Sequence, residues 1–272
     1  MTLQVGVCWP TPGTEAEPLP FDLLDRLMEA TKATHLRIDL HHRKPGVDEM
    51  VQQANDAGFT VLPILDFDYE HPELELFAGF CDHMVRRHGF PAVEIGNEPY
   101  ILHKMPAELY ARVFNAGAKA IRETGIPCQI YMAAEATKPI AHPIDMLGKV
   151  LTHVDPELWD CLAIHPYRNP MPPAYSPMGG RKAELEWYQG QVPTGKGIVV
   201  TEVGWDLRDG VDLDRQGQYI LSELHTWETL GVDGVYIYQH TDPPSNKGFG
   251  IFDHEWNERP AAEAIKLFQR RP

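Results

Sequence analysis

Eight short β-branched or apolar runs recur along the chain, at Leu3-Cys8, His35-Leu40, Thr60-Leu65, Val93-Gly96, Gln129-Ala133, Leu162-His165, Ile198-Thr201 and Val235-Gln239. Helical patterns lie between them. Val47, Met50, Val51 and Ala54 share one helical face, as do Phe77, Phe80, Cys81, Met84 and Val85. The same spacing joins Tyr110, Val113, Phe114, Gly117 and Ile121, and, near the C-terminus, Ala261, Ala264, Ile265 and Phe268. Apolar runs without alternation suit strands covered on both faces, the environment of a parallel sheet wrapped by helices. Eight β-then-α units therefore predict an α/β protein built as a single (β/α)8 barrel. The rival, an open doubly wound sheet, would need a Gly-rich phosphate turn after the first strand, where Cys8-Trp9-Pro10-Thr11-Pro12 stands instead. A chain of 272 residues with 43% hydrophobic content can bury one such core, so residues 1–272 read as one domain. The Pro-rich stretch Asn169 to Gly180 reads as one long loop after the sixth strand.

A formal net charge of -15 argues against nucleic acid or an anionic membrane as partner, because phosphate surfaces reward clustered Lys and Arg. Cys8, Cys81, Cys128 and Cys161 show no CxxC spacing and are expected to be buried free thiols. No apolar segment approaches the roughly 20 residues of a membrane span, and no basic-then-apolar leader follows Met1, which points to a cytoplasmic protein unless an export signal has been removed.

In a barrel of this kind function collects at the C-terminal ends of the strands. Chemically active side chains gather there: Asp39, His41 and His42 after strand two; Asp66, Asp68 and Tyr69 after strand three; Asn97 and Glu98 after strand four; Glu135 after strand five. Strand six supplies His165 and Tyr167, strand seven Glu202 and Trp205, strand eight Gln239, His240 and Asp242. Glu98 in Glu94-Ile95-Gly96-Asn97-Glu98-Pro99-Tyr100 and Glu202 in Val200-Thr201-Glu202-Val203-Gly204-Trp205 each close an apolar run. Strands four and seven stand almost opposite one another in an eight-strand barrel, so both carboxylates can face one cavity. That is the requirement of glycosidic bond cleavage, with one carboxyl as acid and the other as nucleophile or base.

With these motifs the chain resembles the retaining glycoside hydrolases of clan A, whose barrels carry Asn-Glu after strand four and Glu after strand seven. The resemblance implies catalytic roles for Glu98 as general acid/base and Glu202 as nucleophile. It also implies that Asn97 binds the sugar 2-hydroxyl, that His165-Pro166-Tyr167 corresponds to the His-x-Tyr after strand six, and that Arg37 braces the nucleophile. Gly250-Ile251-Phe252-Asp253 with Arg259-Pro260-Ala261 is similar to the closing segment of families 5 and 39. Many clan members place a Trp at the end of strand eight, where this chain has Tyr236, Tyr238 and Gln239.

Pyranose rings stack on aromatic side chains while Asp, Asn and His bind their hydroxyls. Trp9, Tyr69, Tyr100, Tyr167, Trp205 and Tyr238 fall at or just past strand ends and are candidates for such contacts, together with Asp39 and Gln239; Trp159, Trp187 and Trp227 read as packing residues. The duller alternatives are that Arg37 only balances buried negative charge and that His165 is a satisfied core histidine. Two other classes compete. Strand-end Glu, Asp and His could build the divalent site of an isomerase- or endonuclease-type barrel, and a catalytically silent sugar-binding barrel is a third possibility. The reading favoured by the paired glutamates is a retaining glycosidase acting on a β-linked oligo- or polysaccharide, with no cofactor and no metal. Its two carboxyl groups are expected about 5 to 5.5 Å apart.

Overall fold

The computed structural model describes residues 3–10, 20–133, 143–175, 179–242 and 248–271. Among the described residues eight strands alternate with eight α-helices: β1 (Gln4–Trp9), α1 (Phe21–Thr31), β2 (His35–His41), α2 (Val47–Asp56), β3 (Thr60–Asp66), α3 (Leu74–His88), β4 (Ala92–Ile95), α4 (Ala107–Glu123), β5 (Gln129–Met132), α5 (Pro143–Leu151), β6 (Cys161–Ile164), α6 (Arg181–Gln191), β7 (Gly197–Val203), α7 (Leu213–Leu230), β8 (Gly234–Ile237) and α8 (Pro260–Gln269). The strands close in sequence order into a parallel barrel, β1 pairing with both β2 and β8. This is the (β/α)8 architecture that the alternation predicts.

Alternate strand residues divide between two cores. One set packs outward against the helices, with Val5, Val7, Leu36, Ile38, Val93, Ile95, Val200 and Val235 all buried. The other fills the lumen as a smaller cluster of Cys8, Leu62, Tyr131, Cys161, Ala163, Val199 and Tyr236. Gly6 is required at this inner face, since a Cβ there would stand 2.3 Å from the Tyr236 ring. All four cysteines are buried and free. Above the apolar plug the lumen becomes charged, beginning with Arg37 on β2 and Glu94 on β4, which are 2% and 0% exposed.

The chief departure from the sequence expectation is in β7, which continues through Glu202 to Val203 instead of stopping at Thr201. Val200 pairs with Val235, yet Val203 pairs with Ile237, so β7 carries one extra residue against β8. A bulge of this kind breaks the strict in-out alternation. Thr201 and Glu202, although adjacent, therefore both reach lumen partners: Thr201 Oγ1 donates to Glu94 and Glu202 accepts from Arg37.

The closing segment seals the β8–β1 seam. Asp242 accepts from the Gly248 and Gly250 amides and pairs with Arg259 at 2.7 Å, just before α8 begins. Asp242 is thus a clamp for this segment. Among the described residues no helix is long and apolar enough to cross a membrane.

Candidate active site

The turn after β4 is built for placement. Gly96 adopts φ +75 and Glu98 φ +43, a left-handed pair that reverses the chain directly at the strand end. Phenols clamp it on two sides: Tyr69 donates to the Asn97 carbonyl and accepts from the Asn97 amide at 2.6 Å, while Tyr110 donates to the Ile95 carbonyl. A non-glycine residue held with positive φ costs conformational energy, so the surrounding bonds must impose it. The result directs the Glu98 carboxyl into the mouth, where its Oε1 lies 2.7 Å from His165 Nδ1.

Arg37 organises the opposite side. Its Nε donates to Glu94 at 2.7 Å, Nη1 to Glu202 Oε1 at 2.5 Å, and Nη2 to Asn97 Oδ1 at 3.0 Å. The Tyr167 hydroxyl donates to the other oxygen of Glu202 at 2.7 Å. His165 lies between the two glutamates with Nε2 3.1 Å from Thr201 Oγ1. Its Nδ1 is 3.7 Å from Glu202 Oε2, so the imidazole faces both carboxylates. Atoms of Glu98, His165 and Glu202 all lie within 4.8 Å of one another.

The electrostatics favour an ionised Glu202. Burial would raise the Glu202 carboxyl, but His165, Arg37 and the Tyr167 hydrogen bond outweigh it and hold the group below its ordinary value. Burial acts to lower His165, and the two glutamates reverse this, leaving the imidazole above its ordinary value. Next to them, burial pushes the Asp39 carboxyl up against the pull of Lys44 and Arg37. Burial together with the neighbouring Asp39 pushes Asp66 well above the carboxylate range. Asp39, within β2, and Asp66, the last residue of β3, are only partly buried and lie on adjacent strands, so they form a pair able to hold one proton and to offer both donor and acceptor to a hydroxyl.

Of the residues singled out in the sequence, Arg37, Asn97, Glu98, His165, Tyr167 and Glu202 form one bonded cluster. Tyr238 borders it, its ring edge-on to Tyr167 and to Phe249 at 6.3 and 5.3 Å. Several expectations change. Trp205 is fully buried and gives its Nε1–H to the Met171 carbonyl at 2.8 Å, so it braces two loops instead of offering a face to a sugar. Trp9 is 7% exposed and stacked on His240 at 4.0 Å, part of the seam packing with Trp256. Burial there pushes His240 down to about 3, so it stays neutral against the Cys8 carbonyl. Asp68 caps the Glu70 and His71 amides and pairs with Arg43. Gln239 is buried beyond a cis peptide after Tyr238, and Tyr100 is 39% exposed with the Lys104 ammonium over its ring. Trp159 and Trp227 are packing residues, as expected. Glu135 lies outside the described residues.

Glu94, Thr201 and Phe249 were not anticipated. Glu94 had a legible signal, a lone charge within the apolar run Ala92-Val93-Glu94-Ile95. Thr201 depends on the bulge. Phe249 depends on the close approach at Gly204, where a Cβ would stand 2.3 Å from the Tyr238 carbonyl and 3.0 Å from the Phe249 ring.

No family model and no curated protein matches the chain by sequence. Solved structures do match in fold. A family 39 glycoside hydrolase from Bacteroides cellulosilyticus superposes with a TM-score of 0.76 over 98% of this chain at 17% identity. A GH39 enzyme from Xanthomonas axonopodis pv. citri gives 0.73 over 98% at 18% identity. This chain shares its (β/α)8 barrel fold with these two enzymes. This chain spans 63% and 66% of those two chains. A GH128 subgroup II endo-β-1,3-glucanase from Sorangium cellulosum is matched over 97% of both chains, with a TM-score of 0.69 and 12% identity.

The grouping of Glu98, His165 and Glu202 also has the donor types of a divalent-metal site. Its charge environment fits one poorly. The Arg37 guanidinium already occupies Glu202 Oε1 at 2.5 Å, and a second cation beside it would be repelled.

Proposed function

We propose that this protein is a retaining glycoside hydrolase acting on β-linked oligo- or polysaccharides, with Glu202 as nucleophile and Glu98 as acid/base. The observation that carries the proposal is the short separation of two differently supported carboxyls. Their nearest oxygens lie within 4.8 Å, a spacing that supports direct attack and leaves too little room for the water an inverting mechanism places between sugar and base. Glu202 is anchored by a cation and a phenol, which favours the ionised, fixed state a nucleophile needs. Glu98 is held through His165, a partner that can exchange a proton with it.

In the first step a Glu202 oxygen attacks the anomeric carbon, the glycosidic C–O bond breaks, and Glu98 gives its proton to the departing oxygen. In the second, Glu98 takes a proton from water, the resulting hydroxide attacks the anomeric carbon, and the ester bond to Glu202 breaks. Asn97, oriented by Arg37, and the Asp39–Asp66 pair supply hydroxyl contacts. Partly exposed Tyr167, Tyr238 and Phe249 supply aromatic surface. The endo-β-1,3-glucanase among the fold neighbours supports a β-linked substrate.

Proton NMR of the product released from a panel of aryl β-glycosides and β-glucans, with and without a chelator, tests the reading. The expected first product is the β-anomer, formed at the same rate with chelator present. An α-anomer would replace retention by inversion, and loss of activity on chelation would favour the metal-dependent alternative.

A further inference from the structure

The segment that carries Tyr167 is held from behind by charges that the proposed reaction does not touch. Arg168 Nη1 donates to the Tyr167 carbonyl at 2.5 Å, and its Nη2 donates to Glu184 on α6. The second Glu184 oxygen accepts from Arg181 Nη1 at 2.9 Å. Arg181 Nη2 lies 2.6 Å from Glu223 on α7, and Glu223 also accepts from Trp227 Nε1 at 2.7 Å. None of Arg168, Arg181, Glu184 and Glu223 is more than 2% exposed. The signs alternate, and the four formal charges cancel.

Burying a neutral ladder of ions seldom adds stability over apolar side chains of equal volume, although deleting one member strands its partner. Apolar packing would suffice to hold α6 against α7. What the ladder supplies in addition is direction, because a planar guanidinium with fixed N–H vectors orients whatever accepts from it. Here that acceptor is the peptide carbonyl of the residue whose phenol bonds Glu202. The far side of the loop is fixed too: Met171 accepts from Trp205, and Asn169 Oδ1 accepts from the Asp206 amide at 3.0 Å.

We propose that Arg168 is a positioning residue which, braced by Glu184, Arg181 and Glu223, keeps the Tyr167 phenol on Glu202 and so keeps that carboxylate ionised. The inference rests on the assignment of Glu202 as nucleophile and deepens it. The titratable and charged groups facing Glu202 are Cys8 from β1, Arg37 and Asp39 from β2, Glu98 after β4, His165 and Tyr167 after β6, and Tyr238 after β8. Of these, Tyr167 is bonded to Arg168 through its backbone carbonyl, so a change in the ladder reaches Glu202 by that route.

Carbon-13 NMR titration of the Glu202 carboxyl tests this, run beside kcat/KM pH profiles for wild type, Tyr167→Phe, Arg168→Met, Glu184→Gln and the double variant Tyr167→Phe/Arg168→Met. Tyr167→Phe should raise the Glu202 pKa by about one unit, a tenfold gain in proton affinity, for the loss of one hydrogen bond to a charge. Arg168→Met and Glu184→Gln should move it the same way, the double variant no further than Tyr167→Phe alone, and Arg168→Lys should recover part of the shift. The acid limb should follow, with kcat falling and KM little changed. A ladder that is merely structural would lower the Tm and leave the Glu202 titration in place, and that result, or additive shifts in the double variant, overturns the proposal. Should Arg168→Met not fold, Glu184→Gln decides alone, with an unchanged titration again fatal. Because the titration needs no turnover, a protein inactive on every glycoside would remove the proposed function, while the role of Arg168 would still stand or fall on the Glu202 titration.

Discussion

Arg37 Nη1 and Glu202 Oε1 meet 2.5 Å apart at the barrel mouth, their side chains 2% and 8% exposed. The same guanidinium spends its Nε on Glu94 and its remaining nitrogen on Asn97, so one cation from β2 sets the orientation of groups from β4 and β7. Glu94 is wholly buried and also accepts from Thr201, which makes it the fixed point behind Arg37. The proposed nucleophile is therefore positioned from the lumen below as well as from the loop above.

The acid side of the pH profile should show this. Glu202 is held below its ordinary value of 4.5, so its ionised form and the stability it contributes persist above that value and are lost as pH falls through the lower folded value. Removing the cation in Arg37→Met should move the acid limb of kcat/KM upward and lower the plateau by roughly 10- to 100-fold, the worth of a hydrogen bond to a charge. Glu94→Gln should shift the limb less, since Arg37 stays in place. A limb unmoved in Arg37→Met would detach this pair from activity.

Leaving-group dependence separates the two glutamates. Glu202→Ala should abolish turnover, and azide should restore part of it by filling the vacated space, giving a glycosyl azide of inverted configuration. Glu98→Ala should cost about 10²- to 10⁴-fold on natural oligosaccharides and far less on dinitrophenyl glycosides, whose leaving group departs without a proton. Equal losses on every leaving group would undo the division of roles.

His165 makes a prediction about stability alone. Its folded value is raised above 6.5, so its contribution is complete below that pH and is lost as pH rises through the folded value. The Tm gap between wild type and His165→Gln should accordingly be widest in mildly acid buffer, about 2–4 °C, and narrow toward alkaline pH. Calorimetry across that range gives the answer, and a gap that widened with pH would mean that the imidazole is held neutral.

Period and residue type made the barrel legible, because eight doubly covered strands and their amphipathic helices leave a pattern in the chain before any contact is known. The same local logic located Glu98, His165 and Tyr167, since a polar residue just past a buried apolar run must lie at the strand's C-terminal rim. It failed where position depends on pairing partners. Glu202 was placed beyond β7, yet it lies within the strand, turned to the lumen by a bulge that exists only against β8.

Trp205 and Trp9 read as sugar platforms because strand-end aromatics often are, but side-chain direction is settled by neighbours: the Met171 carbonyl takes the Trp205 indole, and His240 stacks on Trp9. The Arg168 ladder, and the partner that Glu94 would find, were hidden for a related reason. A buried charge is tolerable only beside a partner of opposite sign, and Arg37 finds its partners on β4 and β7, Arg168 on α6, and Arg181 finds its second partner on α7. The sequence by itself thus determined which elements form and which rim carries chemistry, both consequences of short-range periodicity. Tertiary structure alone decided the further bonds that hold each carboxylate and the loop through which they run, because those bonds arise when barrel closure brings distant strands within hydrogen-bonding reach.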